Sequence, residues 1–228
     1  MNRYTDRRYG LYGGVPGVAI LLLAVAVAGC TLLPAPRGAT RNTFVLRPEP
    51  AKASAEARAC GPRAFTLLVN VPREEPGFDT SRMAYLLRPD LLGYYAESRW
   101  VDTPGRMLTP LLVQAMEEGG CWRAVIRAPI AADADYRLDT EDLVLEQEFF
   151  SRPARVRLSV RAVLVDVRRQ GVVATRRFEA KEDAPSEDAS GGADAANRAA
   201  GRLLPALAAW ADQAVPRDAA PPAPAPRP

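Results

Sequence analysis

Residues 155–167 read RVRLSVRAVLVDV, and this stretch decides the fold. Aliphatic side chains occupy every second position: Val156, Leu158, Val160, Ala162 and Leu164. The positions between them carry Arg155, Arg157, Ser159, Arg161 and Val163. A period of two is that of a β-strand with one buried face. The stretch therefore predicts a strand whose aliphatic face meets a core and whose other face is largely basic.

A second strand is predicted just before this one, in EDLVLEQEFF (residues 141–150). The turn signal Ser151-Arg152-Pro153 separates the two strands, which favours antiparallel pairing and brings Glu148 near Arg157. The row of arginines is then either a solvated face balanced by glutamates or a surface for lipid headgroups or a partner. The pattern favours the solvated face.

A third strand, VVATRRFEA (residues 172–180), follows the turn Arg169-Gln170-Gly171. Further strand candidates precede the meander, at residues 44–46, 65–71, 83–87, 91–95 and 122–127. An exposed acidic loop is expected at residues 181–192.

Two helices are predicted. The first begins at Thr103-Pro104, an N-cap followed by proline, and ends at Gly119-Gly120. The second runs over residues 193–211 with an apolar face that includes Leu203 and Leu207. Internal prolines, Pro110 and Pro205, predict bends. The expected fold is α/β (α+β): a mixed, largely antiparallel sheet with a C-terminal three-stranded meander and two amphipathic helices packed on it.

The N-terminal region contains LLLAVAVAGC (residues 21–30), an apolar run too short to span a membrane. Basic residues precede the run, and small residues precede Cys30, as in an export signal. Val27-Ala28-Gly29-Cys30 resembles the lipobox of bacterial lipoproteins, in which the cysteine thiol receives a diacylglycerol. The alternative is a secretory signal with an incidental cysteine.

The chain is accordingly divided into four parts. Residues 1–29 are the predicted lipoprotein signal peptide, and residues 30–42 are a lipidated tether rich in proline, alanine and small polar residues. Residues 43–212 are the predicted domain, and residues 213–228 a Pro/Ala-rich disordered tail.

Charge and composition exclude several classes of function. The chain has 30 basic and 27 acidic residues, and removing residues 1–29 leaves 27 and 26. This balance gives no reason to expect nucleic-acid binding. The absence of histidine excludes His-based catalytic triads and removes the commonest metal ligand. No cofactor and no metal site are predicted.

Cys60 and Cys121 remain once Cys30 is acylated, too few for a thiolate zinc site. Outside the cytoplasm two such cysteines form a disulfide or stay as separate buried thiols, and both readings are open. A group of acids, Asp133, Asp135, Asp139, Glu141 and Asp142, lacks the glycine and frame of an EF-hand. It is interpreted as a solvated loop and strand start, and the chain is predicted not to be an enzyme.

Aromatic residues concentrate between residues 79 and 120, with Tyr85, Tyr94, Tyr95 and Trp100. Aromatic side chains with a polar group suit a surface that is apolar on one side and wet on the other. Such a segment forms an interface or fills a small core; for Trp100 the core is favoured, and one of Tyr94 and Tyr95 is expected to face outward.

The order of these motifs resembles a known family. After the lipobox come Phe44-Val45-Leu46, an aliphatic strand ending in Val71-Pro72, an Asp-x-x-Arg segment at Asp79–Arg82, and Arg99-Trp100 with Pro104 and a helix. Over roughly residues 43–210 the chain is similar to the ABC-type transport auxiliary lipoprotein family, the PqiC/YmbA group. The long acidic loop, the proline-rich tail and the two extra cysteines depart from that pattern.

The resemblance implies an outer-membrane, periplasm-facing, lipid-anchored component of an MCE-type system. Such a system has a permease, an ATPase and an MCE-domain protein that move phospholipids or other apolar molecules between membranes. The resemblance implies docking onto the MCE-domain protein, self-assembly, or both. The residues expected to carry docking are Arg82, Tyr94, Tyr95 and Arg99.

Two other functions remain open. One is an envelope lipoprotein adaptor or chaperone for another periplasmic assembly machine, which the same tether and domain would serve. The other is a surface hydrolase without histidine that uses the acids of residues 133–142.

Overall fold

Eight strands and two helices make up the described part of the chain. The computed structural model describes residues 42–49, 64–130 and 132–215. In chain order the elements are β1 (Asn42–Phe44), β2 (Thr66–Val69), β3 (Arg82–Arg88), β4 (Leu91–Trp100), α1 (Pro104–Gly119), β5 (Ala124–Arg127), β6 (Tyr136–Glu148), β7 (Arg155–Asp166), β8 (Gly171–Asp183) and α2 (Ala189–Ala214).

The predicted meander is confirmed. Strand β7 pairs antiparallel with β6 on one side and β8 on the other, so that Leu158 lies between Leu145 and Ala180. The predicted aliphatic face is the buried one, with Leu158 and Leu164 inaccessible to solvent. The alternation in residues 155–164 therefore set the register, because a shift of one residue would have exposed every aliphatic side chain.

Strand β6 begins five residues earlier than predicted. Tyr136, Leu138 and Thr140 are buried and alternate with the more exposed Arg137 and Asp139, so the period of two extends into the acidic segment. The segment does contain a strand start, as interpreted, but the strand begins at Tyr136, so that residues 136–142 belong to β6 and not to a solvated loop. The charged side chains at alternate positions made this segment resemble a loop, although the other face of the strand is buried.

The remaining strands complete a mixed sheet around β6. The strand order is β1-β4-β3-β6-β2-β5, with β7 and β8 extending from β6. Strands β2 and β3 run parallel to successive parts of β6, while β3 pairs antiparallel with β4. The sheet confirms the predicted mixed architecture, in which the long pairings of the meander are antiparallel.

Helix α1 has the predicted boundaries. Pro104 occupies its first turn, and Gly120 closes it in the left-handed conformation with φ 69°. Proline fits at the start because its missing N–H has no intrahelical partner there, and glycine adopts a positive φ without strain. Pro110 and Pro205 both lie inside continuous helices, α1 and α2.

Helix α2 begins at Ala189, four residues earlier than predicted. Asp188 caps it, because its Oδ1 accepts a hydrogen bond of 2.8 Å from the backbone N–H of Gly191. The Gly191-Gly192 pair, which suggested a loop, lies in the first turn, where added Cβ atoms would overlap Ser186 and Gln147. The predicted acidic loop is thus shortened at both ends, since β8 also continues to Asp183.

Helix α2 packs on β7, β8 and α1 through small side chains. Ala196, Ala199 and Ala200 are buried with Leu203 and Leu207. Alanine lets a helix approach a sheet closely, and the larger leucines then fill the space between them. Neither helix in the described residues has the length and apolar character needed to cross a bilayer.

Candidate docking surface

The four residues predicted to carry docking all lie on the β3–β4 hairpin. Arg82 is the first residue of β3, and Tyr94, Tyr95 and Arg99 belong to β4. The two strands pair with register shifts, so that Arg82 lies opposite Arg99 and Ala84 opposite Tyr94. This irregular pairing determines which of the four side chains share a surface.

Arg82 and Tyr94 contact each other directly. The Arg82 guanidinium lies 4.0 Å from the centre of the Tyr94 ring, which is a cation–π arrangement. The Tyr94 hydroxyl donates a hydrogen bond of 2.7 Å to the carbonyl oxygen of Gly77. Gly77 has a φ of 92°, a conformation that glycine adopts readily, and thereby turns the preceding loop against β4.

Arg99 extends this basic surface. It lies directly across from Arg82, and its Nε is 3.5 Å from Thr43 Oγ1 on β1. Within residues 42–49, 64–130 and 132–215, neither arginine forms an ion pair with a carboxylate. Like charges directly opposite each other destabilise an antiparallel pair. Arg82, Tyr94 and Arg99, hereafter the arginine surface, therefore carry unbalanced positive charge.

Tyr95 lies on the helix side of the sheet and not with the other three. Its hydroxyl is 2.9 Å from Gln147 Oε1, to which it donates, and its ring meets Tyr85 edge-on at 5.2 Å between centroids. Burial raises the pKa of Tyr95, and the charge of Asp188 and the neighbouring Tyr85 raise it further. Tyr95 thus helps to seat the start of α2 on the sheet, while Tyr94 is the tyrosine of the pair on the arginine surface.

Trp100 is a core residue, as the sequence favoured. Only 3% of it is exposed, and it lies at the end of β4, where Phe44 is its partner on β1. Its backbone N–H donates to the carbonyl oxygen of Ser81 at 2.8 Å. Trp100 therefore holds the end of the hairpin and contributes no surface for a partner.

An apolar tip was missed by the sequence reading. Leu87 and Leu91 flank the turn between β3 and β4, with 54% and 42% of their surface exposed, and Phe150 after β6 is 47% exposed. The backbone N–H of Phe149 donates to the Leu86 carbonyl oxygen at 2.8 Å, which brings the end of β6 beside the turn. The signal was present as LLRPDLL, two leucine pairs on either side of a turn.

Arg157 of the meander is balanced by carboxylates, unlike Arg82 and Arg99 of the hairpin. Arg157 contacts Glu146 at 2.5 Å, Glu148 at 3.4 Å and Glu179 at 3.7 Å. The predicted contact between Glu148 and Arg157 is confirmed. The expectation of a solvated face is wrong for these glutamates, because Glu146 and Glu148 are only 3% and 6% exposed.

Burial governs the ionisation of this cluster. It raises the pKa of Glu146 above its usual range, although the hydrogen bond and charge of Arg157 act in the opposite direction. The pKa of Arg157 is also raised, because its glutamate neighbours outweigh the desolvation of its guanidinium. The two groups hold each other in place as a half-buried ion pair.

The acids of residues 133–142 are dispersed among separate partners. Asp135 accepts from the backbone N–H of Thr66 at 2.8 Å, Glu141 pairs with Arg73 at 2.7 Å, and Asp142 pairs with Arg177 at 2.8 Å. In the described ranges no group of three potential ligands is arranged to hold a metal ion. These acids serve to join β6 to its neighbours.

The cysteines can be placed only in part. Cys121 follows the end of α1 and is buried, with 1% exposed. Cys30 and Cys60 lie outside the described residues, as do the signal peptide, most of the tether and most of the tail. Lipidation of Cys30 and a Cys60–Cys121 disulfide stay predictions.

Comparisons with known proteins agree with this architecture. A family model described as ABC-type transport auxiliary lipoprotein component matches residues 44–208. The solved structure of protein XCC0632 from Xanthomonas campestris is similar with a TM-score of 0.66 and 24% identity, covering 77% of this chain and 96% of that one. A second solved structure, of an uncharacterized protein, has a TM-score of 0.55 and 11% identity, covering 74% and 97%. No curated protein matches the chain.

Proposed function

Because the chain belongs to the family of ABC-type transport auxiliary lipoprotein components, we propose that it is a non-catalytic component of an MCE-type transport system. The system would move phospholipid or other apolar molecules between the inner and outer membranes. The match over residues 44–208 carries the proposal. ATP hydrolysis belongs to a partner ATPase, and this chain fixes one end of the conduit.

The anchor is the lipid on Cys30. Each buried acyl CH₂ contributes about 0.8 kcal/mol, so two or three acyl chains hold the protein firmly at a bilayer. Thr31 follows the cysteine, where a retention signal for the inner membrane would place aspartate, and this supports an outer-membrane, periplasm-facing location. Radiolabelled palmitate should enter the protein and should be lost with Cys30→Ser, together with tight membrane association. Equal membrane association of the Cys30→Ser variant would contradict the anchor.

The arginine surface is the proposed docking site for the MCE-domain protein. Arg82 and Arg99 are exposed, lie directly opposite each other and have no carboxylate partner among the described residues. A partner that supplies carboxylates would relieve their repulsion and gain charge-assisted hydrogen bonds. The exposed Leu87 and Leu91 at the hairpin turn would add apolar contact on the same element.

Cross-linking followed by co-purification tests this docking. The native chain should recover an MCE-domain protein, and Arg82→Glu with Arg99→Glu should reduce the recovery about tenfold or more, because attraction becomes repulsion. Arg169→Glu is the control, since Arg169 is also exposed but lies at the turn before β8. Recovery of no MCE-domain protein by the native chain, or equal losses in both variants, would contradict the proposal.

A further inference from the structure

Strand β8 leaves one long edge of the sheet open. It has 13 residues and pairs only with β7 in the part of the chain that the structure describes. Most of its side chains are exposed, including Val172 at 63%. An unpaired strand of this length presents a row of backbone donors and acceptors to any other extended chain.

Only the last part of this edge is covered. Arg198 on α2 donates through Nη2 to the carbonyl oxygen of Asp183 at 2.5 Å, and Arg202 pairs with Glu182 at the same distance. Among the described residues, no hydrogen bond or ion pair from a side chain of α2 reaches residues 171–181. The open stretch contains Arg177 and Glu179, whose side chains lie on the same face of the strand because they are two residues apart.

We propose that β8 pairs antiparallel with β8 of a second copy of this chain, about a two-fold axis that passes between the two Phe178 residues. In this register Arg177 lies opposite Glu179 of the second copy, and the same pair recurs on the other side of the axis. Residues 175–181 of the two copies, which lie within the open stretch, then overlap. Opposite charges directly across an antiparallel pair stabilise it.

Charge selects this register over its neighbours. If the axis lay at Arg177, two arginines would face each other, and if it lay at Glu179, two glutamates would do so. Moving the axis by one further residue, to Ala180, would place Arg177 opposite Asp183. Asp183 lies in the covered part of the edge, because its carbonyl oxygen accepts a hydrogen bond from Arg198.

The charged side chains are accessible for this pairing. Arg177 is 52% exposed although it pairs with Asp142, and Glu179 is 45% exposed, with its nearest basic neighbours at 3.7 and 3.8 Å. A two-fold axis perpendicular to the sheet keeps the helices of both copies on one side. The pairing therefore extends the sheet across the dimer without moving α2.

This interface does not depend on the MCE partner. The purified chain alone tests the interface, whereas the proposed function is tested by recovery of the partner. Failure of one experiment therefore leaves the other result standing.

Analytical ultracentrifugation of the full chain in detergent tests the proposal with charge reversals. Arg177→Glu and Glu179→Arg should each raise the dimer dissociation constant about tenfold or more, since two attractions become repulsions. The double variant Arg177→Glu/Glu179→Arg restores opposite charges and should return the constant to within about threefold of the native value. Arg169→Glu, outside the overlap, should leave it unchanged.

Two results would overturn the pairing. One is a native chain that stays monomeric at all concentrations up to about 100 µM, far above the dissociation constant of a specific dimer. The other is a dimer whose mass is unaffected by both single reversals, or a double variant as weak as the single ones. Circular dichroism of each variant separates a lost interface from a lost fold.

Discussion

Three arginines of the meander and two arginines of the β3–β4 hairpin differ in whether a carboxylate balances their charge. In the meander, Arg157, Arg161 and Arg177 each meet at least one carboxylate within 2.8 Å. In the hairpin, Arg82 and Arg99 face each other without a carboxylate among the described residues. The three meander arginines are balanced within the described fold, and Arg82 and Arg99 are not.

With the proposed docking, this difference separates residues that hold the fold from residues that would bind a partner. A half-buried ion pair is costly to break because the remaining charge stays in a poorly solvated place. An exposed pair of like charges costs a little stability at all times. The meander should therefore be sensitive to substitution in stability, and the arginine surface in partner binding.

The largest expected effect comes from the core of the meander. Leu158→Ala should lower the free energy of unfolding by about 3 kcal/mol or more, because Leu158 is inaccessible and leaves a cavity. Leu87→Ala in the hairpin should change it by less than about 0.5 kcal/mol, since Leu87 is half exposed. Urea unfolding measures both. Similar losses would remove the distinction between the two regions.

The second effect comes from the ion cluster. Arg157→Ala should cost about 3 kcal/mol because it leaves Glu146 buried without its partner. Arg161→Ala, whose pair with Glu141 is more exposed, should cost about 1 kcal/mol or less. If both variants unfold at the same urea concentration, burial of the cluster has no energetic consequence.

The cluster also predicts a dependence on pH. Because burial raises the pKa of Glu146, its contribution to stability is present below the ordinary carboxyl pKa and is lost as pH rises through the native value. The loss caused by Arg157→Ala should therefore shrink on acidification, when Glu146 can take up a proton. A loss that grows as pH falls from 7 to 4 would contradict this assignment.

A smaller effect is expected at the start of α2. Asp188→Ala should cost about 1 kcal/mol because the helix loses its cap, while Asp188→Asn should cost much less since asparagine also caps. Hydrogen bonds from the Gly191 N–H and the Ser186 hydroxyl lower the pKa of Asp188. The charged carboxylate of Asp188 therefore stabilises the fold above the ordinary aspartate pKa. This stabilisation is lost as pH falls through the lowered pKa of Asp188 in the folded protein. Urea titrations of both variants at pH 7 and at pH 3 measure this.

The sequence predicted the meander well because hydrophobic alternation is a local signal. The alternation in residues 155–164 predicts which face of the strand is buried, and Pro104 and Gly120 mark the ends of α1. Prediction from the sequence failed where tertiary contacts, and not the local pattern of residues, determined the structure. Gly191 and Gly192 look like a break, yet they lie in α2, where Ser186 and Gln147 approach too closely for a side chain.

The candidate site was predicted only in part for the same reason. The composition of residues 79–100 indicated an aromatic segment with two strand candidates, and the four proposed residues lie in the hairpin that these strands form. The register shifts in β3–β4 decide that Tyr94 joins Arg82 while Tyr95 turns toward Gln147. Such irregular pairing depends on how the strands meet, which neither strand encodes alone.

The free energy of unfolding of the Arg99→Glu variant tests most directly whether repulsion in the arginine surface lowers the stability of the fold. The substitution turns a repulsive cross-strand pair with Arg82 into an attractive one, so stability should rise by about 0.2–1 kcal/mol. A loss of stability as large as that of Arg157→Ala would show that Arg99 holds the fold, and would contradict the account.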